Sequence, residues 1–355
     1  MKQPAVPVNQ QGRYSHGLDQ QAGTRMARTA FVTGGTGFLG GHIIGQLKRD
    51  GWRVVALHRP ETDPSPLKRL GAEPVPGRLD DAASLLAAVP EMADAVFHTA
   101  ANTSMWRRQN DAQTRDNVVG TRNMVNTAMR KNAHRFIHTS SISAWGIQSQ
   151  RIDESTPSNA THDWINYNRT KYLAEQEVRA AIRQGLDAVI LNPCGIIGAG
   201  DRHNWSQMIG LIDQGKLPGV PPGSGNFCDV REVAMAHLSA WDRGERGANY
   251  ILAGVEASFL ELARTIAHLL ERRAPRHAIP KAVLRIAGHL YPLASLVTGK
   301  EPDLTPEKVA LVTNRVAADG SRAVRELGFN DQVPLDIMLR ECIDWMRSEG
   351  LLAAR

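Results

Sequence analysis

The chain has 355 residues, 42% of them hydrophobic, so it can bury a full core as one large domain or two unequal ones. The net charge of +6 does not indicate a nucleic-acid partner, because four basic residues and one acidic residue within 1–28 account for +3 of it and the others are dispersed. No uncharged apolar run reaches the length of a membrane span, and the N-terminus lacks the apolar core of a secretory signal.

Residues 1–28 are polar, with few apolar anchors, and we predict that they form a disordered tail. Met26 could be the true start, in which case the first 25 residues are an extension. The three cysteines, Cys194, Cys228 and Cys342, are widely spaced, odd in number and without a metal-ligand pattern. We therefore expect a reducing, cytoplasmic environment and predict no metal site.

A strand, a tight turn and a helix are predicted at the start of the folded part. The apolar run Thr29–Thr33 leads into a glycine-rich turn, after which apolar residues recur at helical spacing from Phe38 to Leu47. In this context the turn favours a dinucleotide site, with Gly35 permitting the bend, Gly37 letting the backbone approach a pyrophosphate and Gly40 letting helix and strand pack. The predicted cofactor-binding residues of the turn are Gly34, Gly35, Thr36, Gly37, Phe38, Leu39 and Gly40.

Further strands and helices alternate along the chain. Strands are predicted near 53–57, 94–99, 135–140 and 187–191, and helices near 81–89, 113–131 and 166–183. This alternation predicts an α/β fold, a Rossmann-type doubly wound parallel sheet with a smaller mixed C-terminal substrate-binding region. We assign the dinucleotide-binding core to residues 29–193 and the substrate-binding region, interleaved with the last strands of the sheet, to residues 194–355.

The end of the second strand bears on the choice of cofactor. Folds that bind NAD usually place an acidic residue here for the ribose 2′-hydroxyl, whereas this chain has Arg59. Arg59 suits a 2′-phosphate, with Lys68 and Arg69 as possible helpers, so NADP(H) is preferred and NAD(H) stays possible. The alternative is that Arg59 is an ordinary surface residue.

Two segments can supply catalytic groups. Thr139-Ser140-Ser141-Ile142-Ser143 ends a strand at the carboxyl edge of the sheet, where one hydroxyl could bind a substrate carbonyl and the others cap the strand end. Tyr167 and Lys171 are four residues apart on a predicted helix, where the cation favours the phenolate form of the tyrosine. By itself this spacing is also typical of an ordinary helix surface.

Together these segments resemble the extended short-chain dehydrogenase/reductase family, also called the NAD-dependent epimerase/dehydratase family, from about residue 29 to the C-terminus. The motifs that carry the resemblance are TGGTGFLG from Thr33, VFHTAA from Val96, NVVGT from Asn117, TSS from Thr139, YNRTK from Tyr167, NPCGIIG from Asn192 and DVREVA from Asp229. Within the family, Asn192-Pro193 and the stretch from Pro280 to Thr305 look like the dihydroflavonol reductase and 3β-hydroxysteroid dehydrogenase branch.

The resemblance implies roles for particular residues. Ser141 would be the catalytic hydroxyl and Tyr167 the proton donor, while Lys171 would also bind the nicotinamide ribose and Asn117 would hold the helix near the active centre. Cofactor contacts are further implied at Arg78, Leu79, Ala100, Ala101, Asn192 and Pro193. Arg78 stands where the family often has an acidic residue that contacts adenine, so adenine recognition differs here.

These residues predict an NADP(H)-dependent oxidoreductase that reduces a small apolar ketone or aldehyde, or oxidises the alcohol. Four tryptophans are interpreted as lining its substrate pocket: Trp106, Trp145, Trp164 and Trp205. Ordinary packing is the alternative for each of them. The alternative functions are a nucleotide-diphosphate-sugar epimerase or dehydratase with tightly bound NAD, and a non-catalytic NADP sensor. The family also commonly forms homodimers.

Overall fold

The computed structural model describes residues 27–288, 301–302 and 304–352. The predicted tail lies outside these ranges apart from its last two residues, as does most of the second half of the stretch from Pro280 to Thr305. The strands are β1 (Thr29–Thr33), β2 (Arg53–His58), β3 (Glu73–Pro76), β4 (Ala95–His98), β5 (Phe136–Thr139), β6 (Ala188–Pro193), β7 (Gly195–Ile197), β8 (Ser224–Asp229), β9 (Asn249–Leu252) and β10 (Val255–Ser258).

Helices alternate with these strands. They are α1 (Phe38–Arg49), α2 (Ser65–Arg69), α3 (Ala82–Ala88), α4 (Asn110–Thr114), α5 (Gly120–Arg130), α6 (Asn166–Arg183), α7 (Trp205–Asp213), α8 (Val230–Arg243), α9 (Phe259–Leu270), α10 (described over 281–288), α11 (Pro306–Val312), α12 (Ser321–Leu327) and α13 (Leu335–Ser348). A π-helical turn, Arg115–Val119, joins α4 to α5, and short 3₁₀ turns span Arg107–Gln109, Ile142–Trp145 and Ala160–His162.

In the described chain, seven strands form one parallel sheet in the order β3-β2-β1-β4-β5-β6-β9. The chain leaves β1 towards one edge and returns at β4 towards the other, so the strand order reverses between β1 and β4. In such sheets ligands bind outside the carboxyl ends of the strands at this reversal. The predicted fold class is therefore confirmed, and each predicted strand lies within two residues of the observed one.

The chain after residue 193 contributes to both parts of the fold. Strand β9 pairs with β6 and completes the large sheet, and α8 packs against α1 over it. A smaller mixed sheet, β10-β8-β7, packs with α7, α9 and α13 around its own apolar cluster, which includes Phe227, Leu262 and Met338. None of the helices in the described ranges has the length and apolar character needed to cross a bilayer.

Candidate active site

The glycine-rich turn follows β1 and has two positions at which only glycine fits. Gly34 has φ +73°, and a Cβ on Gly40 would lie 2.2 Å from the carbonyl oxygen of Gly34. The bend therefore depends on Gly34, whereas the sequence-based prediction placed it at Gly35. Gly35 lacks a positive φ and instead makes room for the Ile44 side chain, whose Cδ1 would lie 2.6 Å from an added Cβ.

Helix α1 begins directly after this turn. Its N-cap, Gly37, has no side-chain cap, and the first turn has no acidic residue. Thr36 and Gly37 are exposed, and Leu39 packs on the core. Phe38 makes an edge contact with His42, which bonds the carbonyl oxygen of Ala199. A helix N-terminus with unshared N–H groups beside a glycine-rich bend fits the pyrophosphate of a dinucleotide.

The ends of β2 and β3 carry the two arginines of interest. Arg59 is exposed, and its guanidinium has no ion-pair or hydrogen-bond partner within the described residues. Arg78 instead forms a half-exposed ion pair with Glu61, at 2.8 Å between Nη2 and Oε2. Leu79 packs against Gly120 at the start of α5, where a Cβ on that glycine would lie 2.8 Å from the Leu79 Cβ. Arg59 is therefore free to bind an anion, while Arg78 already has an acidic partner.

The loop after β4 is attached to the helix that carries Tyr167 and Lys171. Ala100 and Ala101 begin this loop, and the N–H of Ala100 bonds the Thr33 hydroxyl at 3.3 Å. Asn117, buried in the π-helical turn, accepts the N–H of Asn102 at 2.7 Å, and its amide donates to Asn102 O at 3.0 Å and to Thr170 Oγ1 at 3.1 Å. Because Thr170 lies between Tyr167 and Lys171 on α6, these hydrogen bonds of Asn117 hold α6 against the loop after β4.

Ser141, Tyr167 and Lys171 come together where β5 ends. Ser141 precedes the 3₁₀ turn Ile142–Trp145, and its Oγ accepts the N–H of Ser143 at 3.1 Å. Its hydroxyl also lies close enough to half-buried Tyr167 to lower the pKa of the phenol. Lys171 is buried, with 3% of its surface exposed, and its Nζ donates to the carbonyl oxygen of Thr139 at 2.8 Å. One edge of the sheet, at the carboxyl ends of β1, β4 and β5, therefore carries the glycine turn, Asn117 with its hydrogen bonds, and these three side chains.

Burial governs the protonation of this group. Burial raises the pKa of Tyr167 above its ordinary value, and the nearby Ser141 hydroxyl only partly offsets the rise. The expectation that Lys171 keeps this pKa low is not met, because desolvation of the phenolate outweighs the stabilising contacts. Burial also lowers the pKa of Lys171, to about 8, and the carboxylate of Glu175 acts in the opposite direction.

The Asn192 amide does not face the glycine turn. It is fully buried, and its Nδ2 donates to Glu175 Oε1 at 2.6 Å and to the Ser141 carbonyl oxygen at 3.2 Å. Pro193, also buried, is the last residue of β6 and pairs with Leu252. Both residues therefore contact the backbone next to the candidate site. That either of them contacts the cofactor directly stays a prediction.

The four tryptophans lie in different surroundings. Trp145 is buried, and its indole N–H donates to Thr156 O at 2.9 Å. Trp205 packs on Phe227 and Phe259 in the cluster of the smaller sheet. Trp164 is 47% exposed and lies against Arg107, while Arg108 lies over half-buried Trp106. A substrate pocket lined by these four rings stays a prediction.

A different set of residues lines a small cavity, and two of them, Ser143 and Asn168, lie close in sequence to Ser141 and Tyr167. Its walls are mixed, because polar Gln148, Asn314 and Arg315 line it together with apolar side chains. These walls include Ile142, Ile147, Ile152, Leu311 and Val316. Asn168 is buried with its Oδ1 unpartnered, while its Nδ2 donates to Asp163 at 2.7 Å. Sequence reasoning missed this lining, because α11 and the loop after it lie some 140 residues from Asn168.

Comparison with known proteins agrees with this fold. The doubly wound sheet with its glycine-rich turn defines the class of dinucleotide-binding enzymes. The family model described as "NAD dependent epimerase/dehydratase family" matches residues 30–253. The chain belongs to this family, the extended short-chain dehydrogenases/reductases, and is an NAD(P)-dependent oxidoreductase of that type. The resemblance inferred from the sequence is confirmed.

Relatives and a solved structure match nearly the whole chain. A Synechocystis protein provisionally named dihydroflavonol 4-reductase is 32% identical over 92% of this chain and 96% of its own length. The Arabidopsis thaliana 3beta-hydroxysteroid-dehydrogenase/decarboxylase isoform 1 is 27% identical over 90% of this chain and 80% of its own. The crystal structure of gox2253 has a TM-score of 0.80 and 30% identity, covering 92% of this chain and 99% of that one.

The glycine turn yields a prediction with an internal control. We expect Gly40→Ala to weaken NADPH binding at least about tenfold, because its Cβ would clash with the Gly34 backbone and displace the turn. Gly45→Ala, on the same helix, has only an ordinary contact at 3.6 Å and should stabilise the protein by up to about 1 kcal/mol. Coenzyme titration and thermal unfolding of both variants measure this. Undiminished binding in Gly40→Ala would contradict the role of the turn.

Proposed function

We propose that the protein is an NADP(H)-dependent reductase of a small apolar ketone or aldehyde that uses Ser141, Tyr167 and Lys171. The observation that carries the proposal is the meeting of these side chains at the carboxyl end of β5, beside the strands that bear the glycine turn. The reverse reaction would oxidise the corresponding alcohol.

The chain's own residues account for the proton and the substrate oxygen. A bound dihydronicotinamide would supply the hydride. The Ser141 hydroxyl lies close enough to Tyr167 to lower the pKa of the phenol, so both hydroxyls can converge on one carbonyl oxygen. Burial keeps the Tyr167 phenol protonated, which is the form that can donate a proton to the oxygen of the reduced product. The Lys171 ammonium then stabilises the tyrosinate that remains.

The preference for an apolar substrate rests on the cavity and on the relatives. Apolar side chains from the 3₁₀ turn, the loop after it and the region of α11 line the cavity together with five polar residues. The relatives are named as reductase of a dihydroflavonol and dehydrogenase of a hydroxysteroid, both of which are multi-ring compounds with oxygen substituents. Apolar walls interrupted by polar groups suit a ring compound of this kind.

The preference for NADP(H) rests on Arg59. It is exposed at the end of β2, next to the glycine turn on the neighbouring strand, and it has no described acidic partner. A free guanidinium at this position can form paired hydrogen bonds with a 2′-phosphate.

Purified protein tests the reaction class. We expect NADPH oxidation with aryl and alicyclic ketones or aldehydes, and no conversion of UDP-glucose. Tyr167→Phe should lower turnover at least about 100-fold while coenzyme affinity changes little, because only the proton donor is lost. Tyr172→Phe, on the same helix, is the matched control and should keep normal turnover.

Two results would contradict this assignment. Conversion of a sugar nucleotide without net coenzyme turnover would indicate an epimerase or dehydratase. Full turnover in Tyr167→Phe would show that the phenol is not the proton donor.

Cofactor preference is tested at Arg59. Arg59→Ala should weaken NADPH at least about tenfold more than NADH, since only NADPH carries the 2′-phosphate. The matched control is Arg53→Ala at the other end of β2, where the arginine pairs with Glu73 and should not affect either coenzyme. Equal weakening of NADPH and NADH in Arg59→Ala would mean that this side chain does not contact the 2′-phosphate.

A further inference from the structure

A buried carboxylate lies one helical turn beyond Lys171. Glu175 is 5% exposed and belongs to the same helix, α6, so that residues 171 and 175 share one face. A buried carboxylate is costly unless its oxygens are hydrogen-bonded. Both Glu175 oxygens have donors: Asn192 Nδ2 at 2.6 Å from Oε1 and Asn249 Nδ2 at 3.1 Å from Oε2.

The two asparagines hold the carboxylate in one orientation. Asn249 Nδ2 also donates to Asn192 Oδ1 at 2.9 Å, and the Arg179 guanidinium donates to Asn249 Oδ1. Asn192 reaches in the other direction, to the carbonyl oxygen of Ser141 at 3.2 Å. The network therefore joins α6, β6 and β9 to the backbone of the catalytic serine.

The surroundings of Lys171 explain why a buried anion matters there. Burial lowers the pKa values of His98 on β4, to about 3, and of His138 on β5, and the nearby Lys171 charge lowers both further. His237 on α8 is likewise held neutral by burial. Neutral imidazoles, the Tyr167 phenol and the Thr139 carbonyl oxygen supply no negative charge.

We propose that Glu175, held by Asn192 and Asn249, is a positioning residue that keeps Lys171 protonated in the coenzyme site. The inference rests on the proposed function, in which Lys171 binds the nicotinamide ribose. Glu175 acts through the field at Lys171 and itself contacts neither coenzyme nor substrate. Its role in setting a charge distinguishes it from a residue that merely fills space.

The pH dependence of NADPH affinity tests the proposal. Since the pKa of Lys171 is about 8, wild-type binding should be strong below this pH and weaken as the pH rises through it, and Lys171→Met should abolish that transition. Glu175→Gln removes an opposite charge, so the midpoint should fall by about one pH unit. Relative to wild type, binding should then be about fivefold weaker at pH 8 and within about twofold at pH 6.5.

The affinity for NADPH is measured from the fluorescence of the bound coenzyme at a series of pH values between these two and above. The pH dependence of this affinity gives the midpoint for each variant. Glu177→Gln is the matched control, since Glu177 is on the same helix but pairs with Arg122 at the surface, and its midpoint should equal that of wild type. Glu175→Met removes the same charge with a side chain of similar length, so the test does not depend on one variant folding. Thermal unfolding checks each variant.

The outcomes separate this inference from the proposed function. A downward shift in either Glu175 variant, with Glu177→Gln unchanged, supports the role of the carboxylate. A Lys171-dependent transition that stays in place without Glu175 overturns the inference and leaves the proposed function standing. If wild type has no Lys171-dependent transition, the role of Lys171 in coenzyme binding fails, and the inference fails with it.

Discussion

The burial of the Lys171 ammonium is the constraint on which the rest of the site depends. A cation with 3% exposure loses most of its hydration, and here the carbonyl oxygen at the end of β5 is its hydrogen-bond partner. Its position fixes α6 against the sheet, and α6 in turn presents Tyr167 to Ser141. Two sets of hydrogen bonds hold α6 in that position. Glu175 is bonded to Asn192 and Asn249. Asn117 is bonded to Asn102 and Thr170.

The glycine turn and the buried lysine lie at different strands of the sheet, and we propose that they bind different parts of one dinucleotide. In the proposed function the glycine-rich turn lets backbone N–H groups approach a pyrophosphate, and exposed Arg59 at the end of the next strand binds the 2′-phosphate. Lys171, on α6, reaches the end of β5, beyond β4 in the sheet, where the reacting end of an extended dinucleotide would be held. The parallel sheet keeps these groups in register because all of them lie at the carboxyl ends of its strands.

Much of this arrangement could be predicted from the sequence because its signals are local. The predicted helix 166–183 has the observed bounds of α6, and the run before the glycine turn is β1 as predicted. The order of the motifs also predicted the family, which the family model confirms. The bend was placed one residue too late, at Gly35, because the spacing of glycines does not reveal which of them takes a positive φ.

What could not be predicted depends on contacts between distant parts of the chain. The Glu175 network requires β9 to pair with β6, which brings together asparagines 57 residues apart. The Arg78 ion pair depends on where Glu61 lies after β2, and the π-helical turn that seats Asn117 has no simple sequence signal. The tryptophans lie in different surroundings because bulky side chains pack wherever a core has room.

The most direct test of the central claim is a crystal structure of the protein with NADP⁺. The account predicts that Lys171 Nζ lies within hydrogen-bonding distance, about 3 Å, of a nicotinamide ribose hydroxyl, with the Tyr167 hydroxyl facing the nicotinamide ring. A coenzyme bound over the glycine turn whose ribose lies far from Lys171 would contradict it.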